Sequence, residues 1–229
     1  MVTLYKLTDA NACTHNGYGP WVVGEEHTVT GRPSLCSATV LHAYRDATLG
    51  LILNQGGYDP PRLWRAEGEV VAEDWSKLGC SSLTVTEELP LPGWYAGEET
   101  RKRVLVGFAV LCAESVLHVF EAERPEDDRP RRAIQVARDY LAGRASAAAA
   151  YAASAAAAYA ASAAHSAAAY AAYAASAAYP AYAASAAYPA SAAYPAAASA
   201  AAAAFSPIDF AALAHQAVEE WGGQEAIPW

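Results

Sequence analysis

The chain has 229 residues and a formal charge of −9, with a pI near 5.1. That balance argues against a nucleic-acid ligand, because phosphate affinity rests on Lys and Arg that displace counterions. The composition is also uneven: from Ala145 to Ile208 there is no Asp, Glu, Lys or Arg, whereas the residues before carry an ordinary mix of charged, aromatic and β-branched side chains. Length and this break predict an α+β protein in four parts: a small mixed α/β head (1–97), a helical pair (98–144), an Ala/Ser/Tyr low-complexity helical segment (145–205) and a C-terminal amphipathic helix (206–229).

The opening run MVTLYKLTDANACTH has one Lys and no apolar stretch of the secretory type, which points to the cytoplasm. Val2 to Leu7 alternates as a strand, and His27 to Thr30 forms a second. Val40 to Leu53 is apolar enough for a short helix or buried segment. Gln55 to Pro61 is a loop. Arg62–Val71 and Ser82–Leu89 alternate as two paired strands joined through Glu73–Gly79, and Pro90 and Pro92 end the sheet.

Glu98 to Ala122 lacks Pro, and Val104, Phe108, Leu111, Cys112, Ser115 and Val119 recur at helical spacing, which predicts one amphipathic helix. Pro125 closes it. Arg129-Pro130 opens a second helix, with Ile134, Ala137 and Leu141 as its buried stripe.

Beyond Gly143 the chain repeats. YAAS begins at Tyr151, Tyr159, Tyr173 and Tyr182, and residues 173–181 are identical to 182–190. Alanine is the best helix former, so Ala145–Ala178 predicts a rod of about 34 residues and roughly 50 Å. Pro180, Pro189 and Pro195 each follow a Tyr and predict kinks or breaks there. The tyrosines are expected to be the large residues that pack the Ala faces, either on this chain or on a second copy of it. The Ala-rich stretch lacks the Leu, Ile, Val and Phe of a membrane span. The last segment begins with a capping set, Ser206, Pro207 and Asp209, followed by the apolar stripe Phe210, Leu213, Ala214, Ala217 and Trp221.

Candidate chemistry is sparse. Cys13, His15, Cys36 and His42 are the residues with zinc-ligand character, but Cys-x-His followed by Cys-x5-His is not a ribbon or knuckle spacing, so no metal is expected. Cys80 and Cys112 fit the core. No nucleophile elbow, P-loop, dinucleotide fingerprint or zinc-protease helix is present, and no catalytic residues, cofactor or enzymatic activity are predicted. The charged segment Glu126, Asp127, Asp128, Arg129, Arg131 and Arg132 is the candidate partner-binding surface, its arginines expected to pair with the acids just before them.

Two stretches resemble known families. YKLTDANACTHNGYGPWVVGEEHTVTGRPSLCSATVLHAY, with Asn54, PRLWRAEGEV, KLGCSSLTVTEELPLP and, near the end, IDFAALAHQAVEEW, resembles an uncharacterised tailed-phage protein family whose members also end in Ala-rich helices and carry no known activity. CAESVLHVFEAERPEDDRPRRAIQVARDYLAG, residues 112–143, resembles the bacterial putative immunity protein family, which implies an all-helical, Ala-rich module that inhibits a toxin. The resemblances imply a non-enzymatic protein-interaction module of immunity or antitoxin type that neutralises a protein partner. The alternatives are a phage accessory protein acting as an anti-defence or host-takeover inhibitor, and a metal-dependent enzyme on the head.

Overall fold

A computed structural model describes residues 3–14, 18–35, 37–162 and 207–223, with isolated positions between 170 and 202. Among the described residues it is a mixed α+β fold, 46% helical and 20% strand. Cα proximity divides it into two units, one ending at Pro92 and one opening at Gly93.

The first unit is an antiparallel sheet. Strands β1 (Leu4–Thr8), β2 (Glu26–Thr28), β3 (Leu41–Ala43), β4 (Arg62–Glu73) and β5 (Leu78–Leu89) pair in the order β1-β4-β5-β2, and β3 also lies on β5. The β4–β5 hairpin is its spine. Both strands run longer than their alternation predicts, so the connection shrinks to Asp74–Lys77. Asp74 makes this possible: its Oδ1 accepts from the Ser76 and Lys77 amides at 2.7 and 2.9 Å and from the Ser76 hydroxyl at 2.7 Å. A carboxylate that gathers the next amides is the usual side-chain substitute for a backbone turn. Arg62 clasps Glu88 across the hairpin with two hydrogen bonds of 2.7 and 2.5 Å.

β2 and β3 share the outer edge of β5, with His27 opposite Leu83 and His42 opposite Gly79. Tyr5 and Tyr44 exchange backbone hydrogen bonds of 2.9 and 2.8 Å, which brings the segment after β3 against β1. The interior holds Leu4, Trp21, Leu41, Trp64, Cys80 and Val85. Helix α1 (Ala47–Leu53) is wholly buried. Asp46 starts it by accepting from the Leu49 amide at 2.7 Å, and Asn54 ends it in the left-handed region. The apolar run from Val40 to Leu53 is therefore a strand and a helix divided by Asp46, not one segment.

The second unit is helical. A short α2 (Gly93–Ala96) precedes α3 (Glu98–Glu123), followed by α4 (Arg129–Leu141), α5 (Ala147–Ser162) and α6 (Phe210–Trp221). The amphipathic expectation for α3 is corrected: every residue from Val104 to Ala113 is buried, because α4 and α6 both pack on the helix and leave little of its surface to water. By length and composition α3 could also cross a membrane, but 72% of its most apolar window is covered within the fold, as in a core helix.

α4 buries Pro130, Ala133, Ile134, Ala137 and Leu141 as expected. Gly143, at φ +71°, ends it in a conformation that a β-carbon would disfavour. Ser146 caps α5 by accepting from the Ala149 amide at 3.2 Å, and α5 packs on α4 with Ala150, Ala157 and Ala160 buried. Tyr151 and Tyr170 are 59% and 48% exposed, while the buried residues described in this stretch are alanines. The stretch with Pro180, Pro189 and Pro195, where kinks are expected, lies outside the described residues. α6 starts with Asp209 accepting from the Ala212 amide at 2.9 Å; Phe210, Ala214 and Ala217 of its expected stripe are buried, Leu213 and Trp221 are half-buried, and Val218 is buried as well.

Candidate functional site

In the helical unit the predicted surface lies at the corner between α3 and α4. Proline at 125 cannot continue α3, and Pro130 begins α4 at a position where its missing N–H is not needed, so the intervening acids and arginines fall on a tight, solvated turn. Within it Asp127 accepts from the Arg129 guanidinium at 2.7 and 2.5 Å and from the Arg129 amide at 3.2 Å. The Arg129 hydrogen bonds hold the Asp127 carboxyl below the usual carboxylate range and raise the guanidinium in turn.

Arg131 reaches back to Glu121 at 2.6 Å, and Arg132 lies 3.6 Å from Asp128 one turn before it. The structure thus joins four of the six candidates to one another, ties Arg131 to α3, and leaves Glu126 exposed at the turn. Arg131 and Arg132 have side chains 63% and 71% exposed. Exposed pairs of this kind contribute about 0–1 kcal/mol and exchange partners readily.

A second feature of the same unit surrounds Arg138. Its guanidinium donates to both oxygens of Glu114 at 2.5 and 2.7 Å, lies 3.8 Å from Glu220 and stands 5.8 Å from the Trp221 ring centre. The Glu114 hydrogen bonds raise its pKa. These contacts fasten α4 to α3 and α6 beside an open hollow of about 420 Å³ bordered by Arg103, Gln135, Leu141 and Arg144.

The head offers different chemistry. Of the four weak metal candidates, His15 and Cys36 lie outside the described residues. Cys13 is half-buried with its thiol 3.6 Å from the Asn11 carbonyl, and His42 sits on β3. Among the described residues no group of three or more His, Cys, Asp or Glu could hold a metal ion.

His42 instead borders a cleft of about 260 Å³ with Lys6, Gln55, Lys77 and the rings of Tyr18 and Tyr58. Lys6 is 4% exposed; its ammonium donates to the His42 carbonyl at 2.8 Å and lies 4.6 Å from the Trp21 ring centre. Burial lowers its pKa to about 7. Burial first, then Lys77 and Lys6, lowers the His42 imidazole to about 4, and burial pushes the Cys80 thiol up to about 11. The sequence did not single out Lys6, Gln55 or Lys77. For Lys6 the available signal was its place in register with Leu4 and Thr8, the two fully buried residues on the same face of β1.

Residues 96–206 match the model of a family described as Imm-5 like putative immunity protein. The matched segment takes in α3, α4 and α5 and contains the 112–143 run whose sequence resembles that family. No curated protein and no solved structure is similar enough to the chain to count as a match.

Proposed function

We propose that the chain is an immunity protein of antitoxin type, a non-enzymatic module that binds a protein toxin and neutralises it in the bacterial cytoplasm. The observation that carries this is the immunity-family match across residues 96–206, which coincides with the helical unit rather than with the head. The contact surface is the α3–α4 corner, where Glu126, Asp127, Asp128, Arg129, Arg131 and Arg132 stand on a rigid base set by buried Pro130, Ala133 and Ile134. Within a chain of net charge −9, the exposed Arg131 and Arg132 call for an acidic patch on the partner at this corner, since complementary charge raises association rates and suppresses wrong partners.

Affinity capture from bacterial lysate tests this, comparing the intact chain with a variant carrying Arg131→Glu and Arg132→Glu. The expected result is a stoichiometric protein partner retained by the intact chain and lost from the variant. Equal retention by both would remove the corner from the interface, and a turnover activity in the purified chain would replace the binding-module proposal with an enzyme.

A further inference from the structure

The head buries a lysine that meets no counter-charge among the described residues. Lys6 is buried, yet among the described residues its ammonium meets only a backbone carbonyl and an aromatic face, with no carboxylate paired to it. Burying a charge in this way is costly unless it is paired or neutralised. The carboxylate whose field reaches His42, that of Asp74, is turned into its own hairpin by three hydrogen bonds.

A second unmet group lies in the same cleft. Lys77 donates to Gln55 Oε1 at 2.8 Å, which directs the amide so that Nε2 is its donor end. That Nε2 is buried and has no hydrogen-bond partner among the described residues. Native structures leave few buried donors unsatisfied, and those that remain call for an explanation such as an absent ligand. The cleft therefore holds two donors that no acid of the described residues meets, the Lys6 ammonium and the Gln55 amide N–H, with a histidine that burial keeps neutral beside them.

We propose that this cleft binds a small ligand through an oxyanion, a carboxylate or phosphate group seated against Lys6, Lys77 and the Gln55 amide, with Tyr18 and Tyr58 flanking the remainder. A volume of about 260 Å³ lies just below the usual range of roughly 300–1,000 Å³ for small-molecule pockets, so it suits a compact metabolite. The bound anion supplies the missing counter-charge for Lys6 and an acceptor for Gln55 Nε2. This inference is independent of the toxin-binding proposal, which concerns the other unit.

NMR of the full-length chain carrying ¹³C/¹⁵N-labelled lysine tests the site, with sodium phosphate and sodium malonate titrated separately at ionic strength held constant with sodium chloride. The Lys6 resonances should shift saturably with at least one anion, and the Lys6 pKa should rise by at least a unit when it is bound. Phosphate alone or malonate alone would each support the site and name its chemistry. Lys77→Ala and Gln55→Leu, at the wall of the cleft, should each weaken binding about tenfold, and they keep the test decisive if Lys6→Met does not fold. Lys6 resonances unmoved by both anions, or shifts unchanged in both cleft variants, would overturn the proposal.

Discussion

Gly107 on α3 lies directly beneath the indole of Trp221 on α6: a β-carbon at position 107 would stand 1.9 Å from Cε3 of that ring. The glycine is thus a docking site for α6, and the helix-propensity cost of placing it mid-helix, about 1 kcal/mol, is offset by the close approach it permits. Gly107→Ala, which would stabilise an exposed helix, should here destabilise the chain by about 1–3 kcal/mol through overpacking. Urea unfolding of Gly107→Ala, Trp221→Ala and the double variant checks this. The expected signature is a double variant less damaged than the sum of the two, because the clash vanishes with the ring.

The Arg138–Glu114 pair should behave differently from the exposed pairs at the corner. Both side chains are about one-third exposed and the contact is bidentate, so Arg138→Ala should cost about 1–2 kcal/mol, against under 1 kcal/mol for Arg131→Ala. A double-mutant cycle with Glu114→Gln should show coupling for Arg138, and thermal unfolding of the single variants should rank them in the same order.

At the start of α6 the Asp209 carboxylate fixes the first turn through the Ala212 amide. Asp209→Ala should lower stability by about 1 kcal/mol while Asp209→Asn, which keeps the acceptor, should be nearly silent. Amide exchange of the first α6 turn would distinguish them, fast in the alanine variant and slow in the asparagine one.

Lys6 predicts a pH dependence of stability. Its pKa is about 7 in the folded chain against an ordinary value of 10.5, so between these the unfolded chain binds more protons and stability rises with pH. The penalty for burying the charge is fully present below about pH 7. Lys6→Met should therefore be at least as stable as the natural chain at pH 6 and should flatten the rise between pH 7 and 10.5. The groups that face Lys6, Cys80 and His42, titrate at about 11 and about 4 and stay neutral through this window. Chemical denaturation at intervals of half a pH unit would reveal the slope, and a slope unchanged in Lys6→Met would contradict the assignment.

How far the sequence foretold the fold depended on whether the controlling interactions were local. The β4–β5 hairpin, α4 with its Pro130 start, and the Asp209 cap all rest on periodicity and caps within a few residues, and the structure has them where those signals lie. β3 was hidden because three residues of strand merge with α1 in one apolar run, although Asp46 before Leu49 was a readable cap. The total burial of α3 depends on α4 and α6 covering sides that its own heptad-like spacing does not mark. The cleft was least legible, since its walls come from β1, β3, the loop after α1 and the hairpin turn, and a lysine's charge ordinarily places it in water. At the α3–α4 corner, by contrast, the acidic-then-basic order foreshadowed the pairing of Arg129, Arg131 and Arg132 with acids of this chain.

The proposed neutralisation of a protein toxin through the helical unit can be read from the growth of bacteria that express the captured partner alone, with the intact chain, or with the Arg131→Glu and Arg132→Glu variant. The expected outcome is growth arrest by the partner, rescue by the intact chain and no rescue by the folded variant. A harmless partner, or rescue that ignores the charge reversal, would contradict it.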